Sequence, residues 1–205
     1  MTGTGKSVGV PDELTFTVSV GLTRPDLQAA LSDANATTSK VLAALAKQGV
    51  QRQDVQTTGL SMYPVYDYHS YGPPTLRGYH VSQRAQVLVH DLARGGRAVS
   101  AAVAAGGNDV RVGGIGLRIA DQEKLLAQAR KAAVAEATAK AREYAAAAGQ
   151  TLGQVTALRE LHASPTVVQH LPYARAAMDS VKGAVPIRAG RDKLAVTVRI
   201  VWSFA

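Results

Sequence analysis

The stretch AALAKQGVQRQDVQTTGLSM, residues 43–62, decides how the chain should be read, because a similar stretch, AAVAAGGNDVRVGGIGL, returns at residues 101–117. Each has an Ala-rich helical tail, a glycine break, an Asp-Val step and a strand-like run containing glycine. The matching steps are Asp54-Val55 and Asp109-Val110. The echo predicts two βαβ-like repeats, approximately residues 10–68 and 75–120, that build a sheet rather than a pair of active sites.

Strands are indicated by alternation of apolar and polar residues, which is typical of a sheet with one buried face. In ELTFTVSV, residues 13–20, the apolar set starts at Leu14 and the polar set starts at Glu13. RGYHVSQRAQVLVHD, residues 77–91, alternates as well. KLAVTVRIVWSF, residues 193–204, has an inward-facing set that runs from Leu194 to Phe204. TLGQVTALREL, residues 151–161, is predicted as the partner strand near the C-terminus.

Three helices are predicted between the strands, over about residues 25–48, 92–105 and 122–148. Thr23, Asp91 and Asp121 are the expected N-caps, since short polar side chains accept from the free N–H groups of a first turn. Glycines end the helices. The buried stripe of the third helix is predicted to be Leu126, Ala129, Ala133, Ala137, Ala141, Tyr144 and Ala148. Glycines inside strands, such as Gly59 and Gly113, predict bulges or close backbone approach.

The pattern predicts one domain of the α+β class over residues 1–205. Its architecture is two-layer, with a mostly antiparallel sheet and three helices packed on one face. The two repeats are followed by a long third helix and a C-terminal strand pair within residues 121–205. A long loop, residues 164–190, separates the last two strands, and loops of this length are often functional.

Composition limits the function classes. The 205 residues include no cysteine, so disulfides, thiolate metal sites and cysteine nucleophiles are excluded. The formal charge of +8 is dispersed, which favours solubility or loose contact with anionic surfaces over nucleic-acid binding. No apolar run is long enough to span a membrane. We expect the natural start to lie upstream of residue 1, with a leader that directs export and is then removed.

Motifs for chemistry are weak. TGTGKS, residues 2–7, resembles the end of a phosphate-binding loop, but the sequence after it is strand-like and opens no helix. The five histidines lack the spacing of a metal site, and His80 and His90 are interpreted as solvated surface residues. The acidic residues suit helix starts and exposed strand positions, with no carboxylate pair for acid–base work. We therefore predict no enzyme, no metal and no cofactor.

Tyrosines cluster in one short segment, YPVYDYHSYGPPTLRGY, residues 63–79. Alternation places Tyr66 and Tyr68 opposite Tyr63, and HSYGPP is a turn. One interpretation is a loosely ordered surface hairpin; the other is a contact surface, since tyrosine joins apolar area to a hydroxyl that tolerates water. The candidate interface residues are Tyr63, Tyr66, Tyr68, Tyr71 and Tyr79, with Tyr173 and Met178 of the long loop.

Several segments together resemble the SIMPL-domain family: residues 5–20, 43–68, 78–92, 129–155 and 196–204. The resemblance covers nearly the whole chain. It implies a two-layer α+β fold, export to the cell envelope, sometimes with a lipid anchor, ring- or channel-like assembly and a link to stress tolerance. It supplies no catalytic residue to carry over.

Our functional hypothesis is a non-enzymatic, periplasm-like envelope protein that assembles with itself and has peripheral or lipid-anchored membrane association. The alternative is a monomeric binding module for a peptide or envelope ligand, with a cleft lined by the same tyrosines. A third interpretation, an enzyme of unrecognised type, requires polar groups converging in one pocket.

Overall fold

The structure is a computed structural model that describes residues 1–166 and 184–205 of the chain. Seven strands and three helices lie in the described residues, which are 37% helix and 44% strand. They are β1 (Thr2–Gly9), β2 (Glu13–Arg24), α1 (Leu27–Lys47), β3 (Val55–Asp67), β4 (Thr75–Val89), α2 (Leu92–Gly106), β5 (Val110–Arg118), α3 (Glu123–Ala147), β6 (Leu152–Thr166) and β7 (Asp192–Phe204). The predicted α+β class, antiparallel pairing and three helices are confirmed.

The strands form two antiparallel sheets in two compact units. The four-stranded unit comprises residues 12–118 with 184–188, and its strand order is β3-β4-β2-β5. The three-stranded unit comprises residues 1–11, 119–166 and 189–205, and its order is β1-β7-β6.

The four-stranded unit explains the sequence echo. β4 pairs antiparallel with both β2 and β3, so β2 and β3 run parallel on either side of it, joined by α1. In the same way β4 and β5 run parallel on either side of β2, joined by α2. This is a split βαβ arrangement used twice. Short 3-10 helices, Arg52–Asp54 and Gly107–Asp109, occupy the two Asp-Val junctions.

The core of this unit lies between one face of the sheet and the two helices. Leu14 and Phe16 are fully buried with Val41 and Leu45 of α1, as the alternation predicts. The prediction of Thr23 as helix cap is wrong. Asp26 caps α1 by accepting from the N–H of Ala29 at 2.8 Å, whereas the Thr23 hydroxyl contacts His80.

The three-stranded unit packs α3 unusually close to β1. A Cβ on Gly5 would lie 1.9 Å from the carbonyl oxygen of Ala129, and one on Gly3 would lie 2.1 Å from that of Ala133. Only glycine fits there, so TGTGKS serves helix–sheet packing. The helix buries Ala129, Ala133, Ala137, Ala141 and Ala145.

Three details of this unit differ from expectation. Tyr144 is 63% exposed, because the buried stripe follows a strict four-residue step to Ala145. Phe204 is also 63% exposed, because it lies at the end of β7 beside the edge strand β6. Residues 164–166 belong to β6 rather than to a loop, and residues 184–190 have no regular secondary structure.

Candidate functional site

The tyrosine cluster lies on the β3–β4 hairpin. β3 and β4 stay paired out to Asp67 and Thr75, and residues 68–74 connect them. The exposed fraction is 50% for Tyr63 and rises to 95% for Tyr71 in the connection. Tyr66 and Tyr68 are exposed as well. Tyr173 and Met178 lie outside the described residues.

Not all five hairpin tyrosines are free side chains. The ring of Tyr63 lies 5.1 Å from that of His80, its cross-strand partner, with a tilt of 37°. Tyr79 is only partly exposed. Tyr66 lies on the other face of β3 from Tyr63, as alternation predicts. The role of the tyrosines in an interface stays a prediction.

Apolar side chains beside the tyrosines are also uncovered. α1 packs on β2 and β4, which leaves the outer strand β3 without a helix above it. Leu60 is 55% exposed, and Met62, Tyr66 and Leu76 are exposed too. We call these four residues the β3 apolar strip. Between the strip and α1 lies a cavity of about 200 Å³ lined largely by apolar residues, including Val41, Leu42 and Leu60.

The three-stranded unit has a similar uncovered edge. α3 packs mainly on β1 and β7, so the edge strand β6 is left open. Val155, Leu158 and Phe204 are more than half exposed, and Trp202 is partly buried. We call these four residues the β6 apolar strip.

A cluster of four ionisable side chains crosses one end of the four-stranded sheet. Asp54 precedes β3, His90 follows β4, Glu13 begins β2 and Arg118 ends β5. Taken in the order of the strands in the sheet, their charges alternate: negative, positive, negative, positive. We call this the charge ladder.

The contacts of the ladder are short. Nε2 of His90 lies 3.0 Å from Oδ1 of Asp54, and its Nδ1 lies 2.5 Å from Oε1 of Glu13. Nε of Arg118 donates to Oε2 of Glu13 at 2.5 Å. The two carboxylates are 5% exposed, whereas the His90 and Arg118 side chains are more than half exposed. The cations therefore shield the carboxylates from water.

The pKa directions follow from these contacts. Burial pushes the pKa of Glu13 upward, but hydrogen bonds from Arg118 and His90 outweigh burial and leave the pKa below its ordinary value. The hydrogen bond from the Gln51 N–H, with that from His90, lowers the pKa of Asp54. Hydrogen bonds to Glu13 and then to Asp54 raise the pKa of His90. All three shifts favour the charged forms.

Two sequence interpretations are corrected by the ladder. Glu13, expected on the solvent side, is nearly buried, because His90 and Arg118 cover it. His90, interpreted as a solvated surface histidine, binds two carboxylates. No motif marks the cluster, since its members come from four separate elements. The buried Asp54 in the echo has no equivalent at Asp109, which is not buried.

The ladder offers little for catalysis. Both ring nitrogens of His90 are occupied by carboxylates, so the ring has no free nitrogen for a substrate proton. A polar depression of about 240 Å³ lies beside it, lined by residues that include Asp54, Gln86 and Arg118. Within residues 1–166 and 184–205, no three His, Cys, Asp or Glu side chains are grouped so that they could hold a metal ion.

None of the helices in the described part of the chain combines the length and the apolar composition that a bilayer span requires.

The architecture is that of an α+β protein with antiparallel sheets covered by helices. The family model described as SIMPL, protein of unknown function (DUF541), matches residues 1–202. The chain belongs to this family.

Named relatives were found as well. The 26 kDa periplasmic immunogenic protein of Brucella melitensis is 33% identical over 98% of this chain and 82% of its own length, and that of Brucella abortus matches equally. The uncharacterized protein YggE of Escherichia coli K12 is 27% identical over 77% of this chain and 63% of its own length. None of these names describes an enzymatic activity.

Proposed function

We propose that the protein is a non-enzymatic component of the bacterial cell envelope, in a periplasm-like compartment, that assembles with copies of itself into a ring- or channel-like oligomer linked to stress tolerance. The names of the Brucella relatives support the location. The single observation that carries the assembly is a pair of different uncovered apolar edges, the β3 strip and the β6 strip.

The other two sheet edges are protected, which makes the open ones informative. On β1 the free N–H of Thr4 donates to Oε2 of Glu136, and Nζ of Lys140 reaches the carbonyl of Thr2. β5 is short and carries a bulge at Gly113–Gly116. Charged side chains and bulges at an edge oppose pairing with another chain. β3 and β6 are longer, with 13 and 15 residues. Both keep an apolar strip exposed, although the register of β3 to β4 shifts twice and that of β6 to β7 shifts three times.

Two different edges on one chain favour head-to-tail association. A contact between the β3 edge of one copy and the β6 edge of the next leaves one edge of each kind free at the ends of a pair. Such heterologous contacts close into a ring if the rotation permits, and otherwise grow as a filament. The hairpin tyrosines, next to the β3 strip, would widen the contact.

The non-enzymatic assignment is supported by the ladder. Its carboxylates are shielded and its histidine has both nitrogens engaged, which suits a structural ion cluster better than a reaction centre.

Native mass spectrometry and light scattering test the assembly. The wild-type chain should form an oligomer at high concentration, and Leu60→Lys or Leu158→Lys should each block growth. Mixing the two variants should give a dimer that does not grow further. Each variant retains one intact edge, and the dimer uses both. Val103→Lys, at a 45% exposed position of α2, is the matched control and should assemble normally. A wild-type chain that stays monomeric would refute the proposal.

A monomeric binding module is the second candidate. The apolar lining of the cavity between α1 and β3 favours it, whereas the size of the cavity and its lack of tyrosines oppose it. Its volume of about 200 Å³ is below the range of roughly 300–1,000 Å³ that is usual for ligand pockets. Its lining includes no tyrosine, so it is not the tyrosine-lined cleft that the sequence suggested. Electron density for an apolar peptide in this cavity, in a crystal structure of the monomeric protein, would favour the binding module.

A further inference from the structure

The face of the three-stranded sheet opposite α3 carries an unbalanced positive charge. Gly3 and Gly5 face the helix, so Thr2, Thr4 and Lys6 of β1 point the other way. Register adds Lys193, Thr197 and Arg199 from β7. The hydroxyls of Thr4 and Thr197 lie 3.1 Å apart, which shows that they share this face.

Acidic residues of the same strands lie on the helix side. The described strands of this sheet contain two acidic residues, Glu160 and Asp192. Glu160 pairs with the buried Val198 and binds Arg130 of α3 at 3.0 Å. Asp192 is in register with Gly9, on the alternation that faces α3. Among the described residues of the three strands, the opposite face therefore holds basic residues without acidic ones: Lys6, Arg159, Lys193 and Arg199.

Two of these cations stand directly opposite each other. Arg159 of β6 pairs in register with Arg199 of β7, and both are exposed. Like charges at directly opposed positions destabilise a sheet unless a counter-charge is present. Among the described residues no salt bridge engages Arg159, Lys193 or Arg199. Lys6 is the exception with an acidic neighbour, Glu136.

The residue types on this face indicate which kind of polyanion it binds. Single-stranded nucleic acids bind to basic grooves with aromatic side chains on which bases stack. The β1 and β7 positions of this face are threonine, lysine, alanine, arginine, serine and valine. Val8 and Val201 are each 48% exposed, so aliphatic groups accompany the cations and hydroxyls. Cations with hydroxyls and small aliphatic groups suit the phosphates and upper acyl region of a bilayer.

We propose that this face docks on an anionic bilayer, with Arg159, Arg199 and their basic neighbours contacting lipid phosphates. A basic side chain near an anionic membrane contributes about a fivefold gain in partitioning. Because the attraction is screened within a Debye length, added salt should release the protein. The threonine hydroxyls add hydrogen bonds to phosphate oxygens.

Co-sedimentation of the full chain with vesicles tests the proposal. Vesicles of phosphatidylcholine mixed with phosphatidylglycerol should bind it, and vesicles of phosphatidylcholine alone should not. The double variant Arg159→Gln/Arg199→Gln should bind about twenty-five-fold more weakly, the product of two fivefold losses. Its matched control is Lys131→Gln/Arg142→Gln, which removes the same charge from exposed positions of α3 and should bind like the wild type.

Misfolding can be separated from lost binding. Removing the opposed arginines relieves repulsion, so thermal unfolding of the double variant should occur at the same temperature as in the wild type or higher. Equal losses in the two double variants would overturn the proposal, because the attraction would then come from net charge alone. Failure of the wild type to bind anionic vesicles, or binding of an oligonucleotide in their place with the same dependence on Arg159 and Arg199, would also overturn it.

Discussion

Nδ1 of His90 lies 2.5 Å from Oε1 of Glu13, so the residue that follows β4 holds the carboxylate that begins β2. The other ring nitrogen is held by Asp54. A histidine that donates from both nitrogens to ionised carboxylates must carry two protons. The protonated ring therefore stabilises the folded state, in which the carboxylates are close to it.

Replacing His90 with glutamine should remove a pH dependence of stability. The pKa of His90 is raised on folding, first by Glu13 and then by Asp54. Its contribution is complete below the unfolded pKa of about 6.5 and is lost as the pH rises through the higher folded pKa. The urea midpoint of the wild type should fall over that interval, while His90→Gln should start lower and change less.

The matched control for the histidine is His69→Gln, in the exposed connection of the hairpin. It removes one imidazole and should keep the wild-type pH profile. An unchanged profile in His90→Gln would contradict the assignment of the proton to the ladder.

The two aspartates of the repeated Asp-Val step should contribute unequally to the stability of the fold. Asp54 accepts from the N–H of Gln51 at 2.9 Å and from His90, and it is nearly buried, whereas Asp109 is not buried. Asp54→Ala should lower the unfolding free energy by about 2 kcal/mol, since it removes a nearly buried charged acceptor from the N–H of Gln51 and from His90. Asp109→Ala should change it by less than about 0.5 kcal/mol. Equal losses of unfolding free energy in the two variants, measured by urea titration, would contradict the prediction. They would mean that each aspartate stabilises only its own helix-to-strand junction.

Acid should weaken the ladder as alkali does, but through the carboxylates rather than through His90. The folded-state pKa values of Glu13 and Asp54 are lowered, so their contribution is present above the unfolded pKa of about 4 and is lost as the pH falls through the folded values. Glu13→Gln should therefore flatten the acid limb of stability while it lowers the plateau. Acid titration of unfolding, monitored by circular dichroism, measures both effects.

Much of the fold could be predicted from local patterns. The alternation around Phe16 reports one buried face, and the echo reports two strand–helix–strand units, because both depend on neighbours in sequence. Division into two sheets depends on which strands pair, and periodicity carries no such information. The ladder was missed for the same reason: Glu13 and Arg118 meet only because β2 and β5 pair in register.

Exposure of Tyr66, the tyrosine on the α1 side of β3, illustrates a different limit. Alternation placed Tyr63 and Tyr66 on opposite faces, and a turn was expected at residues 69–74. Whether a helix covers the strand depends on where α1 lies across the sheet. That position is set by packing of Val41 and Leu45 against β2, and it leaves β3 bare.

Gly5 should be intolerant of a single added methyl group. The Cβ of alanine would fall 1.9 Å from the carbonyl oxygen of Ala129, which forces α3 away from β1. We expect Gly5→Ala to cost more than about 3 kcal/mol, the upper range for an overpacked core. Gly113→Ala, at a strand position with no atom within 4 Å of the added Cβ, should cost far less. Similar urea midpoints for the two variants would show that α3 can move aside freely.

Glu136 should protect the outer edge of β1, because its Oε2 accepts from the free N–H of Thr4 at 2.6 Å. Lys140 holds the other carboxylate oxygen at 2.6 Å, and its hydrogen bond, with that of Thr4, keeps the pKa of Glu136 below its ordinary value. Glu136→Ala should speed hydrogen exchange of the Thr4 amide, since it removes the carboxylate that accepts from this N–H. It should also increase light scattering, because an unprotected edge can pair with another chain. Glu143→Ala, on the exposed side of the same helix, should leave both signals unchanged. If Thr4 exchanges equally slowly in both variants, the edge is protected by something other than this carboxylate.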